Sequence, residues 1–152
     1  MVTVKDILGK KPPMFNIIGP DALVIDALTM LNSVNLSYLV VMDDEHYKGI
    51  FCERDYCRNV ILKNRSSKDT PVKEVMTVDL PIVQLNETAE QCMEMMNLHK
   101  VRYLLAYDDE EQFKGVVTIH DLLRQVLANR EMVFDHSLTR QLIATDEGGK
   151  IF

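Results

Sequence analysis

The residues able to do chemistry in this chain fall into two short stretches built on one pattern, Gly49-Ile50-Phe51-Cys52-Glu53-Arg54-Asp55-Tyr56 and Gly115-Val116-Val117-Thr118-Ile119-His120-Asp121-Leu122. In each, a glycine and two apolar residues lead to a small side chain, and an aspartate follows three residues after it. This is the pattern of a strand running straight into a helix that starts after Cys52 or Thr118. A hydroxyl at such a start, backbone N–H groups pointing out of the helix end and the helix dipole together suit an anion such as a phosphate. The same residues also suit a helix cap. Thr-x-x-Asp is close to a capping box, worth about 0.5 to 2 kcal/mol with no ligand present. Cys52 is a poor cap and a feeble donor, so Asp55 is easier to explain as a ligand group, although a first-turn aspartate also gains from the dipole.

Other reactive side chains form no constellation. Cys52, Cys57 and Cys92 are an odd number without a C-x-x-C pair, which fits neither a disulfide framework nor a zinc site and reads as reduced, mostly buried thiols. Cys52 beside Arg54 is a faint case for an activated thiol. His46, His99 and His136 lack metal-ligand spacing, and Asp43-Asp44-Glu45 and Asp108-Asp109-Glu110-Glu111 read as solvated hairpin tips. The nine methionines, dense at Met93, Met95 and Met96, read as core or interface filler. With no nucleophile, base and orienting acid at recognisable spacing and no Gly-rich phosphate loop, no catalytic residue, metal site or catalytic cofactor is assigned, and an enzyme is not expected.

Composition narrows the partners. The chain has 152 residues, 47% of them hydrophobic, and a net charge of −6, enough for a well-buried core and the wrong sign for nucleic acid or an anionic membrane surface. No apolar run is long enough to span a bilayer, and Lys5, Asp6, Lys10 and Lys11 stand where a signal peptide would be apolar, so no membrane insertion and a cytoplasmic location are expected.

The elements that must position the two stretches also come twice. Val4-Lys5-Asp6-Ile7-Leu8 matches Val72-Lys73-Glu74-Val75-Met76, and Ser37 to Asp44 matches Arg102 to Asp109, at a spacing of about 65 residues. Each copy opens with a short helical turn (Val4 to Gly9, Val72 to Met76) and an extended stretch containing proline (Pro12 to Ile18, Val78 to Leu85). A helix follows, with apolar stripes Val24, Ala27, Leu28, Leu31, Val34 and Ala89, Cys92, Met93, Met96. Next come a hairpin (Tyr38 to Met42 with Lys48 to Cys52, across the acidic loop Asp43 to His46) and a second helix, from about Glu53 to Lys63 and again from Ile119. Arg130 to Ile143, without Gly or Pro, reads as a further helix whose apolar residues Val133, Phe134, Leu138 and Leu142 must bury on the module or on another subunit.

The doubled unit with Gly, two apolar residues, Ser/Thr, two residues and Asp at its end resembles the cystathionine-β-synthase (CBS) domain, and the pair resembles a Bateman module over roughly residues 1 to 130. The resemblance implies an α/β (α+β) fold of two pseudo-symmetric βαββα repeats packed through their sheets, with a C-terminal helical extension. Repeat one would cover residues 1–64, a linker 65–71, repeat two 72–130, and a helix with a flexible tail 131–152. It implies an adenosine-containing regulatory ligand, AMP, ATP, NAD or S-adenosylmethionine, in the cleft between repeats. The second site would comprise Thr118, His120 and Asp121, for phosphate and ribose, with Val78, Leu80, Pro81, Arg102 and Tyr103 around the adenine. The first would comprise Cys52, Arg54, Asp55 and Arg58 with Phe15, Asn16 and Tyr38. It also implies a homodimer of CBS pairs modulating a target protein. The rival expectation is a structural or adaptor dimer that binds no ligand and presents its C-terminal helix.

Overall fold

The computed structural model describes residues 1–33, 37–128 and 136–147. The chain forms two compact units, Pro13–Asp79, and Met1–Pro12 together with the chain from Leu80 onward.

In the unit Pro13–Asp79, β1 (Ile17–Ile18) pairs in parallel with β2 (Tyr38–Asp43), which pairs antiparallel with β3 (His46–Cys52) in the order β1-β2-β3. The hairpin loop is tighter than the acidic run implies. Asp43 already pairs with His46, and the turn rests on Asp44 at φ 52°, a left-handed conformation that an aspartate tolerates. Helix α2 (Val24–Ser33) buries Val24, Ala27 and Leu31 against Leu39, Val41 and Phe51, the inward face expected from the stripe; Val34 lies outside the described residues. The second helix is shorter than expected. α3 (Glu53–Asn59) gives way to a 3-10 turn, Ile61–Lys63, closed by Asn64 at φ 56°.

The other unit repeats this plan. β4 (Ile82–Gln84) runs parallel to β5 (Tyr103–Tyr107), β5 antiparallel to β6 (Phe113–Thr118), and both hairpins shift register at equivalent places, Val41/Met42 and Ala106/Tyr107. Helix α4 (Ala89–His99) is capped by a reciprocal box between Thr88 and Gln91 and buries Ala89, Cys92, Met93 and Met96. Helix α5 (Ile119–Ala128) follows β6 without a loop. The terminal helix α6 (His136–Glu147) lies on α4, with Leu142 buried in this unit's core, Leu138 packed against that core and Asn97 donating to Gln141 at 2.9 Å. Leu142 and Leu138 are thus covered by the helix's own unit, while Ile143 is 43% exposed. Val133, Phe134 and the glycines of the tail lie outside the described residues.

The compact units do not coincide with the sequence repeats 1–64 and 72–130, because the opening segments are exchanged. Helix α1 (Val4–Gly9), which opens the first copy, buries Val4 and Ile7 among Val83, Ala89, Met93, Leu104 and Val117 of the second. The turn Val72–Glu74, which opens the second copy, buries Val72 in the core of the first together with Val75, the residue that follows it. The same backbone ties recur on both sides. Ala89 N–H donates to Val2 O, Val4 N–H to Glu87 O and Lys5 N–H to Leu85 O; in parallel, Val24 N–H donates to Thr70 O, Val72 N–H to Ala22 O and Lys73 N–H to Pro20 O, all at 2.8–3.0 Å. Residues 65–71 are therefore no free tether. Thr70 O and, beside it, Ser67 O accept the first N–H groups of α2, which would otherwise be orphaned at the helix start.

Gly49 marks where the exchanged segment comes closest. Thr77 forms a two-way backbone bridge with Ile50, at 2.8 and 2.9 Å, and a Cβ on Gly49 would stand 2.7 Å from Met76 Sδ and 2.8 Å from Thr77 O. Gly115 occupies the matching position at φ 152°, where a Cβ would meet Leu8 at 3.2 Å. Gly49→Ala should therefore destabilise the protein by about 1–3 kcal/mol. A fall in the urea unfolding midpoint checks this, since a clash with a backbone carbonyl cannot be relieved by a side-chain rotation.

Candidate functional site

Each strand-to-helix junction centres on a buried aspartate held by its own helix start and by the exchanged segment. In the first, Asp55 is 1% exposed. Its Oδ2 accepts the Cys52 backbone N–H at 2.9 Å and the Cys52 thiol at 3.3 Å, while Oδ1 accepts the Thr77 hydroxyl at 2.7 Å. Asp55 thus serves the helix start although Cys52, a poor cap, offers no hydroxyl. A carboxylate can serve the N-cap backbone N–H whatever side chain the N-cap residue carries. Burial raises the Asp55 pKa, opposed by the hydrogen bonds from Thr77 and Cys52 and by the charge of Arg58.

In the second junction the box is complete: Thr118 N–H donates to Asp121 Oδ2 at 2.9 Å, and Asp121 N–H to Thr118 Oγ1 at 3.2 Å. Asp121, 5% exposed, also binds Lys11, whose Nζ lies 2.8 Å from Oδ2 and donates to Val116 O at 2.8 Å. Arg124 Nη1 stands 3.7 Å from Oδ1 on a largely exposed side chain, a weaker contribution. His120 projects from the first turn of α5 and is exposed.

The residues expected around the heterocycle are brought together only in part. Asn16 is 2% exposed, its side-chain amide donating to Tyr38 O at 3.0 Å and its backbone carbonyl accepting Val40 N–H at 2.8 Å. Its side chain therefore holds β1 against β2, with Phe15 beside it at 56% exposure. Pro81 fills the matching place, its carbonyl accepting Leu105 N–H at 2.9 Å, and Arg102 O accepts the first N–H of α5, that of Ile119, at 3.0 Å. Leu80 and Tyr103 are buried, Pro81 and Arg102 partly so. Val78, grouped with them by sequence, belongs to the unit Pro13–Asp79. On α3, Arg54 is partly buried and Arg58 exposed.

Lys11 and Thr77 are the two residues of these junctions that a motif-centred reading passes over. Each lies just beyond the opening turn of a copy, more than 20 residues from the aspartate it touches. The repeat offset places them in equivalent regions, but only the exchange of segments brings them to the carboxylates.

Cys52 is no activated thiol. Burial, and then the Asp55 charge, push its pKa up to about 12, and burial does the same for Cys92. Among the described residues no group of three or more His, Cys, Asp or Glu could hold a metal ion, and no helix is long and apolar enough to cross a membrane.

Comparison with known proteins agrees with this architecture. The CBS-domain family model matches residues 4–61 and 72–128, and the chain belongs to the CBS-domain family as a tandem pair. It is 32% identical to a putative signal-transduction protein with CBS domains from Burkholderia ambifaria, whose structure superposes with a TM-score of 0.76 over 88% of this chain and 100% of that one. It is 30% identical over 112 residues to the mitochondrial CBS domain-containing protein CBSX3 of Arabidopsis thaliana, covering 70% of this chain and 54% of that protein's length. The structure of CBSX2 in complex with AMP shares the fold, with a TM-score of 0.68 at 21% identity over 86% of this chain and 100% of that one.

The thiols offer a direct check of the junction. Cys57 is exposed while Cys52 and Cys92 are buried. Titration with a disulfide reagent at about pH 8 should modify one thiol rapidly in the native protein and all three in denaturant, since the thiolate is the reacting species.

Proposed function

We propose that this protein is a non-catalytic regulatory sensor that binds an adenine nucleotide at its strand-to-helix junctions and passes the change to a partner protein. The observation that carries this reading is the pair of buried aspartates, Asp55 and Asp121, at equivalent strand-to-helix junctions of a CBS pair. The AMP bound by CBSX2 supports the ligand class.

The second junction is the better equipped. Thr118 and the start of α5 would receive phosphate, His120 would add a donor when protonated, and Asp121 would accept ribose hydroxyls. Leu80, Pro81, Arg102 and Tyr103 would line the adenine. In the first junction Asp55 would take the ribose with Arg54 and Arg58 facing the phosphate, and Cys52 offers it little. The AMP bound by CBSX2, together with the ATP bound by the CBS domain of a bacterial CNNM/CorC family Mg2+ transporter, favours AMP and ATP over NAD and S-adenosylmethionine as the regulatory ligand.

Signalling follows from what the ligand must displace. Both carboxylates already hold the exchanged segments, so a ribose that takes them over loosens the hold on Lys11 or Thr77. A ligand shifts conformation only through such a difference in contacts between states. We place the protein as a homodimer of CBS pairs in the cytoplasm, where its reduced thiols fit.

The adaptor reading has one observation on its side: both aspartates have structural work without a ligand. Against it, the terminal helix it would present already buries Leu142 in its own unit. Calorimetric titration of nucleotide-stripped protein decides between them. AMP or ATP should bind saturably, and Asp121→Asn, which can still accept the Thr118 N–H, should weaken binding tenfold or more, about 1.4 kcal/mol. No heat with AMP, ATP, NAD or S-adenosylmethionine from folded protein would favour the adaptor.

A further inference from the structure

We propose that Lys11 makes the second site selective for phosphorylated ligands, because it is the counter-ion that Asp121 must release when a ribose binds. The inference rests on the ligand site proposed above and assigns it a specificity-determining residue.

Lys11 Nζ is held at 2.8 Å by both Asp121 Oδ2 and Val116 O, in a pair whose side chains are 25% and 5% exposed. Asp121 Oδ2 also carries the Thr118 N–H, so this oxygen has little remaining capacity, whereas Oδ1 has, among the described residues, only Arg124 at 3.7 Å; a ribose that offers both hydroxyls to the carboxylate takes Oδ2 as well as Oδ1. A ligand hydroxyl that claims Oδ2 must loosen the lysine. The ammonium is then left with one neutral carbonyl in a partly desolvated place, a costly arrangement unless a new counter-charge is at hand. A phosphate at Thr118, the cap of α5 and three residues before Asp121 in the chain, supplies that charge, and the flexible lysine stem lets a compact ammonium turn towards it. Adenosine offers the same ribose and no replacement charge. It should therefore compete poorly.

The first junction contains its own control. There the exchanged segment delivers a hydroxyl, Thr77 Oγ1, to the aspartate at 2.7 Å. Displacing a neutral donor strands no charge, so the first site should tolerate adenosine far better than the second.

The test uses the full chain carrying Asp55→Asn, which weakens ribose binding in the first junction, titrated calorimetrically with adenosine and AMP. We expect AMP to be preferred, the preference to fall at least tenfold in Lys11→Gln, and Lys11→Arg to retain it. Lys11→Met is a second uncharged variant, and either one that keeps the parent's thermal melt must show the fall. An unchanged AMP-to-adenosine ratio in a folded uncharged variant that still binds AMP overturns the role of Lys11 and leaves the nucleotide site standing. Failure of the parent chain, with Asp55 intact, to bind AMP or ATP overturns both.

Discussion

Much of each unit depends on one close approach, between the segment that opens one repeat and the glycine-bearing strand of the other. Gly49 admits Met76 and the Thr77 backbone, and Gly115 admits Leu8, at separations a side chain would close off. Once the segment is seated there, Val72 and Val75, or Val4 and Ile7, complete an apolar core that the three-stranded sheet and its helix do not fill with residues of their own repeat. Backbone carbonyls at Thr70 and Val2 then satisfy the first N–H groups of α2 and α4. One exchange thus supplies packing and polar satisfaction together, and removing either side would leave buried groups without partners.

The same exchange brings a donor to each junction aspartate. Asp55 and Asp121 link three things: the end of a strand, the first turn of a helix and the borrowed segment. A carboxylate buried in such a place is tolerable because it is hydrogen-bonded, so a ligand that takes Asp55, or Oδ2 of Asp121, must substitute for what that group already holds. Structure and sensing therefore share the same hydrogen bonds. The two copies differ in kind at this point, a lysine against a hydroxyl, and a pseudo-symmetric fold thereby acquires two chemically unequal junctions.

Local pattern carries most of what was legible in advance. The stripes of α2 and α4, the hairpins and the direct passage from Cys52 to α3 and from Thr118 to α5 follow from side-chain period and from residue types at element ends, which act over a few residues. The repeat exposed the pseudo-symmetry, and the Gly, cap and Asp spacing located both junctions. Boundaries set by one residue's backbone were less visible: Asn64 halts the turn after α3 at φ 56°, and Asp44 tightens a hairpin whose acidic run reads as a longer loop. The terminal helix was legible as apolar on one side, but the surface that covers Leu142 was not.

Residue order alone reveals two copies of one unit, their family, and an aspartate at the start of each copy's second helix. Which segments complete which unit, and hence that Lys11 and Thr77 meet those aspartates, emerges only on folding. The physical reason is that period and capping are local properties of the chain, whereas the partner of a buried carboxylate is chosen by where distant segments find room, here beside two glycines.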